Sequence, residues 1–252
     1  MLGGAAKGSY ERLDGSDSQF ETYYGPLRDM IRARALDGLD LDVEEEMSLG
    51  GVMRLIDRLK EDFGPDFIIT LAPVAAAMLD STKNLSGFDY EALEVMRGRQ
   101  IAWYNTQFYC GWGDCSNPLM YELMLGKGWP PEKIVIGLVT NPDNGSGYVP
   151  WPALEAVLKL LRSRHPGFGG VMGWEYFNSL PGGRERPWIW AKSLSGLIRE
   201  GHTNPTQKVL EDSIIPTETA VVDISVVDGP DGHAADLPVP REFEYYSDSP
   251  ED

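Results

Sequence analysis

Leu36-Asp37-Gly38-Leu39-Asp40-Leu41-Asp42-Val43-Glu44 is the stretch on which the reading of this chain turns. Apolar and acidic residues alternate with a period of two, the pattern of a β-strand with two chemically different faces. Gly38, Asp40, Asp42 and Glu44 share one face, and Leu39, Leu41 and Val43 share the other. Asp and Glu are poor strand formers. Three carboxylates on one face repel one another and are expensive to bury. A solvated edge strand with an acidic outer face would produce such a row, and so would charges that do chemistry. A calcium loop does not fit, because it needs a glycine directly after the third acidic position, where Glu45 stands.

Working outward, the 252 residues are enough for one large α/β domain, and 42% hydrophobic residues are enough to bury a core. The longest apolar run, Phe67 to Leu79, is interrupted by Thr70 and Pro73 and is too short to span a membrane. Met1 runs into Leu2-Gly3-Gly4-Ala5-Ala6 without the basic start and apolar core of an export signal. The net charge of −17 argues against nucleic acid and anionic membranes as partners. Residues 201–252 hold 12 acids against Lys208 and Arg241, so −10 of that charge lies in the tail and the body is only mildly acidic.

Cys110 and Cys115 permit one small-loop disulfide without demanding it. Of the histidines, His165, His202 and His233, two fall in the tail. That leaves too few ligands for a His/Cys zinc site and weakens any Ser-His or Cys-His triad. No G-x-S-x-G, G-x-G-x-x-G or P-loop sequence is present.

Taken in order, a strand stub at Leu2-Gly3-Gly4 leads to a polar loop over Lys7 to Asp17. A helix is predicted from about Ser18, with Ser18 and Glu21 as a capping box and Phe20, Tyr23, Leu27 and Ile31 as its buried stripe. After the acidic strand, helices are expected at Leu49 to Phe63, Phe88 to Arg97, Pro118 to Leu125, Pro152 to Arg164 and Pro187 to Arg199. Strands are expected at Phe67 to Pro73, Ile101 to Tyr109, Lys133 to Thr140 and Gly169 to Trp174. Strand followed by helix, repeated, is the grammar of a parallel β/α fold. Five full units and one stub are counted. Beyond Gly201 the periodicity fades into Pro-, Asp- and Glu-rich sequence with one strand-like patch, Ala220 to Val227, and a disordered acidic tail is expected.

The run Asp37-Gly38-Leu39-Asp40-Leu41-Asp42-Val43-Glu44 resembles the D-G-x-D-x-D-x-E signature of glycoside hydrolase family 18, the chitinases and endo-β-N-acetylglucosaminidases, with every fixed position filled. Gln107-Phe108-Tyr109 is similar to that family's sixth-strand pattern, and Gly170-Val171-Met172-Gly173-Trp174 to its eighth. Met1-Leu2-Gly3-Gly4 resembles the end of the third strand, with Met1 where the family usually has Ser. The resemblance implies an α/β fold of the (β/α)8 TIM-barrel type. It is incomplete here, with about strands 3–8 present and two strands and most of a third expected upstream of Met1. Residues 1–200 would form this partial barrel, with residues such as Ile69 and Leu71 facing its interior, and residues 201–252 the tail.

The resemblance further implies hydrolysis of β-1,4 linkages next to N-acetylglucosamine, in chitin or chitooligosaccharides or in the chitobiose core of N-glycans. The 2-acetamido group of the substrate would be the nucleophile. Glu44 would be the general acid, Asp42 would orient the acetamido group, Asp40 would hold or share a proton with Asp42, and Tyr109 would bond the attacking carbonyl. Trp174 would form the floor under the sugar, and Gln107 shares a face with Tyr109. From the residues themselves, Tyr104 and Asn105, polar and aromatic groups earlier in the same strand, are expected to line the site, and Asp37, of opposite facing parity, is expected to be structural at the strand start. No cofactor and no metal are implied. The expected partner is an N-acetylglucosamine-containing glycan, bound by a monomer away from membranes and nucleic acid. An extracellular protein is what the family implies, with Asn84-Leu85-Ser86 and Asn144-Gly145-Ser146 as glycosylation sequons. The alternative is a carbohydrate-binding relative without catalysis, a chitolectin, or an inactive gene fragment; the presence of Glu44 counts against the lectin.

Overall fold

The computed structural model describes residues 1–199; the tail and its Ala220 to Val227 patch lie outside them. In chain order the elements are β1 (Leu2–Gly3), α1 (Tyr10–Leu13), α2 (Asp17–Ala33), β2 (Gly38–Asp42), α3 (Leu49–Phe63) and β3 (Ile68–Leu71). There follow α4 (Tyr90–Arg97), β4 (Trp103–Gln107), α5 (Leu119–Lys127), β5 (Ile134–Val139), α6 (Trp151–Arg164), β6 (Val171–Trp174) and α7 (Trp188–Arg199). The six strands form one sheet in the order β1 to β6, and every pair is parallel. Among the described residues β1 pairs only with β2, and β6 only with β5.

The elements form where their sequence patterns place them. In α3 the residues spaced three and four apart, Val52, Leu55, Ile56 and Leu59, are fully buried, and Ser48 caps the first turn by accepting from the Gly51 N–H at 2.9 Å. Each such side chain contributes about 1.5–3 kcal/mol by leaving water. In α6 the expected Leu154, Val157, Leu158 and Leu161 are the buried set. β5 is buried along its whole length, as a parallel strand covered on both faces must be.

Several local expectations are corrected. The polar loop over Lys7 to Asp17 contains α1, which buries Tyr10 and Leu13. The cap of α2 is Ser16, two residues before the expected Ser18, and Glu21 pairs with Arg58 rather than closing a capping box. Tyr24 replaces Tyr23 in the buried stripe, because it stacks on Phe20 one turn away at 5.1 Å and its hydroxyl donates to Asp62 at 2.7 Å. Tyr23 is exposed.

Ile69 and Leu71 do not face the barrel interior. Thr70 donates to Asp40 and so lies on the carboxylate face, which turns its two neighbours toward the helices, where both are fully buried. Cys110 and Cys115 are free thiols, the first exposed and the second buried. Burial, then the nearby Asp114, pushes the Cys115 thiol up to about 12.

Candidate active site

Two glycines let the strands around the acidic row approach one another. A Cβ on Gly38 would lie 2.4 Å from the Ile68 carbonyl oxygen of β3, so only hydrogen fits there. Gly3 sits at φ +86°, and a Cβ on it would meet the Asp42 carbonyl oxygen at 2.3 Å. The Gly4 N–H then donates to that same carbonyl at 2.9 Å. β2 is thereby sandwiched between β1 and β3, and its acidic face opens at the C-terminal ends of the strands. In parallel barrels that end carries the chemistry.

Three carboxyl groups climb this face, and each has its own surroundings. Asp40 is lowest. Its Oδ1 accepts from Asn105 Nδ2 at 2.8 Å and from the Thr70 hydroxyl, while its Oδ2 is buried without a partner. Asp42 is 6% exposed, and its Oδ1 accepts from Gln107 Nε2 at 3.2 Å. Glu44 is highest and half-buried, with Oε1 accepting from the same Gln107 nitrogen at 3.2 Å. Burial, the charges of Glu44 and Asp40 and a hydrogen bond to Glu44 together push Asp42 up to about 7. At neutral pH the Asp42–Glu44 pair therefore holds a proton between its two carboxyl groups for a good part of the time.

Tyr109 lies two residues past Gln107 and is buried. Its burial, followed by the charges of Asp42 and Glu44, raises the phenol well above its ordinary value, so its hydroxyl keeps its proton. The β-register carries the same face across to β6. Gln107 pairs with Gly137, Gly137 with Met172, and Val139 with Trp174. Trp174 is two residues beyond Met172 and thus shares Gln107's face, one level nearer the mouth. It is 40% exposed. The loop after β5 holds its backbone, with Thr140 N–H donating to the Trp174 carbonyl at 2.9 Å and the Asn144 and Asn178 amides bonded to each other at 2.7 and 2.9 Å.

Of the residues expected at the site, Asp42 and Glu44 are joined through Gln107 and Asp40 is bonded to Asn105 one level below, with Tyr109 beside them and Trp174 on the same face. Gln107 and Asn105 support the carboxylates from behind. Both polar atoms of Asn105 are engaged, Nδ2 with Asp40 and Oδ1 with the Trp103 indole N–H at 3.0 Å. Tyr104 is not at the site. It is fully buried on the helix side, packed edge-on against Trp129 at 5.3 Å, and its hydroxyl donates to Glu94 at 2.7 Å. Asp37 is exposed at the strand start and contributes its carbonyl to the Ile68 N–H at 3.0 Å. Thr70 was missed as a site residue, although a hydroxyl inside an otherwise apolar strand is the signal that would have found it.

Comparison with known proteins places this arrangement. A chitinase of Aspergillus fumigatus, ChiC, has 60% sequence identity and a TM-score of 0.70, over 77% of this chain and 69% of that one. A fungal endo-β-N-acetylglucosaminidase from glycosyl hydrolase family 18 has 51% identity and a TM-score of 0.76, over 79% of this chain and 71% of that one. The chain belongs to glycoside hydrolase family 18. Its six parallel strands and intervening helices are accordingly part of that family's TIM-barrel architecture. Among curated proteins, chitinase 2 of Rhizopus oligosporus is 31% identical over 147 residues, a match spanning 56% of this chain and 25% of that protein. No protein-family profile matches the sequence. Among the described residues of this family 18 chain, no helix is long and apolar enough to cross a membrane.

Proposed function

We propose that this chain carries the catalytic centre of a glycosidase that cleaves β-1,4 linkages next to N-acetylglucosamine, with the substrate's own 2-acetamido group as nucleophile. The observation that carries the reading is the stack Asp40–Asp42–Glu44, in which the middle carboxyl is pushed up to about 7 beside an outer one at the mouth. Glycoside cleavage needs a proton delivered to the leaving oxygen. Glu44, outermost and half-buried, delivers it. The acetamido carbonyl oxygen then closes on the anomeric carbon to form an oxazolinium ion as the leaving group departs, a route that replaces the second protein carboxylate of ordinary retaining enzymes.

Asp42 accepts the acetamido N–H and, once ionised, faces the positive charge that develops on the ring. The proton it gives up has an acceptor in the unpartnered Oδ2 of Asp40. Tyr109, protonated throughout the working range, donates to the acetamido oxygen as it attacks. Trp174 offers its indole face to the apolar side of the sugar. Water, deprotonated by Glu44, then opens the oxazolinium from the face the leaving group vacated and restores the starting anomer.

The experiment compares chitooligosaccharides with and without the acetyl group at the reacting sugar. Acetylated oligomers should be cut and inhibited by a thiazoline mimic of the oxazolinium, and deacetylated ones should resist. Equal cleavage of both would overturn the mechanism. Release of oligomannose from a denatured glycoprotein against chitobiose from chitin separates the two substrate classes, which share the same reacting sugar.

A further inference from the structure

Glu45, next in sequence to the proposed acid, is buried at 8% exposure. Its Oε2 accepts from the Gly8 N–H and its Oε1 from the Tyr10 N–H, each at 2.6 Å. These donors belong to the start of α1, whose own cap residue, Ser9, makes no side-chain capping bond. A carboxylate from a different segment therefore does the capping. Burial alone would raise Glu45, but the N–H groups of Tyr10, Gly8, Ser9 and Glu11 outweigh it and hold the carboxyl below its ordinary value. The other end of α1 is tied to the same segment. Asp14 accepts from the Ser48 N–H at 2.8 Å and from the Ser48 hydroxyl at 2.6 Å, and Ser48 in turn caps α3. Between these ties, the Met47 N–H donates to the Ser86 carbonyl at 2.8 Å.

β2 ends at Asp42, two residues before Glu44. The acid is thus carried on backbone that has left the sheet, and the next anchor along the chain is the Glu45 carboxylate. We propose that Glu45 is a positioning residue, whose grip on the start of α1 fixes the Glu44 carboxyl against Asp42. The inference rests on the reading of Glu44 as the acid. Its physical basis is that a reacting group displaced by about 1 Å can lose on the order of 10² in rate. Glu45 is ionised well below neutrality, so the clamp stays closed wherever Asp42 titrates. The groups around Asp42 are Glu44, Asp40, the Met1 amino group, Tyr10, Tyr90 and Tyr109. Of these, Glu44 is the charged group that the Glu45 segment carries.

The test uses the full chain with Glu45→Gln and Glu45→Ala. The first keeps the shape and one acceptor and guards against a failure of the second to fold. Controls are Glu44→Gln and a destabilising change in another helix, Leu158→Ala in α6. Three readouts are taken: thermal midpoint, kcat and KM on a fluorogenic chitooligosaccharide, and the titration of Asp42 by carboxyl-carbon NMR. Glu45→Gln should lower kcat about 10-fold and Glu45→Ala about 100-fold, with KM within about twofold. In both, the Asp42 midpoint should fall by about half a unit or more, because a displaced Glu44 no longer supports the protonated form. Leu158→Ala should melt lower with kcat and the Asp42 midpoint unmoved. If the Glu45 variants behave like Leu158→Ala, Glu45 only caps α1 and the proposal fails. If Glu44→Gln keeps its turnover, the acid assignment fails instead, and the Asp42 midpoint still decides the clamp.

Discussion

Gln107 Nε2 lies 3.2 Å from Asp42 Oδ1 and 3.2 Å from Glu44 Oε1, with the Ala72 carbonyl oxygen at 3.0 Å as a third acceptor. One amide NH2, with two hydrogens, serves two carboxyl groups and a neighbouring strand. A cation in its place would hold both carboxylates ionised. An apolar side chain would leave buried oxygens without a donor. The neutral donor is what allows Asp42 to stay half-protonated at neutrality while still facing Glu44.

Gln107→Leu should therefore push Asp42 above its value of about 7, and Gln107→Lys should pull it down. Both should reduce turnover by about 10²-fold, since neither leaves one proton shared between two aligned carboxyls. Carboxyl-carbon NMR and steady-state kinetics check this. A Gln107→Leu variant with kcat within twofold of wild type would remove the amide from any organising role.

The Asp42 shift is also a statement about stability. An aspartate has a value near about 3.9 in the unfolded chain and about 7 in the fold, so the folded state binds the proton more tightly. The stability this contributes is fully present below pH ~4 and is lost as pH rises through ~7. Relative to Asp42→Asn, which has no such titration, the wild-type melting temperature should drop by about 10 °C between pH 4 and pH 7.5. Subtracting the Asn profile removes the background of the other acids. A flat difference between the two profiles would show that Asp42 is not buried against its neighbours as described.

The acidic strand and its partners were legible in the sequence because unusual residues fall in a regular period. Asp40, Asp42 and Glu44 break the propensity rules for a strand, and Gln107 and Trp174 fall in short patterns that could be matched to a family. The helices α3 and α6 were equally plain, since their apolar residues repeat at helical spacing. Contacts made across the chain left weaker traces. Glu45 reads as one more acid in Glu44-Glu45-Glu46, and its capping of α1 becomes visible only when residues 35 positions earlier fold onto it. The same holds for α1, which is four residues long and has no period to detect. Tyr104 failed for the opposite reason. It was expected to line the site together with Asn105 and Gln107 of the same strand, whereas alternation gives each face only half of a strand.

Trp174 should act on binding more than on folding. Its side chain is 40% exposed, and its backbone is held by the Thr140 N–H whatever the side chain. Trp174→Ala should raise KM about tenfold, or ~1.4 kcal/mol of lost contact with the sugar face. Its melting temperature should stay close to wild type. A large fall in melting temperature with KM unchanged would make Trp174 a packing residue.

The two tyrosines flanking Gln107 provide the sharpest contrast, because they differ in facing and little else. Tyr104 is three residues before Gln107 and so turns toward the helices, where its hydroxyl donates to Glu94, itself paired with Lys133 at 2.6 Å. Tyr104→Phe leaves that carboxylate one donor short in a largely buried position. It should cost about 1–2 kcal/mol of stability, with kcat unchanged. Tyr109 is two residues after Gln107, on the carboxylate side, where Asp42 and Glu44 help to hold its proton in place. Under the proposed mechanism Tyr109→Phe removes the donor to the acetamido oxygen and should lower kcat by about 10–10²-fold, with melting nearly unchanged. Since the Tyr109 phenol is raised far above neutrality, the alkaline fall in wild-type activity should follow Asp42, and Tyr109→Phe should not move it. Thermal melting and pH–rate profiles of the two variants, run side by side, check the assignment. If Tyr104→Phe lost turnover and Tyr109→Phe lost only stability, the faces of β4 would have been assigned the wrong way round.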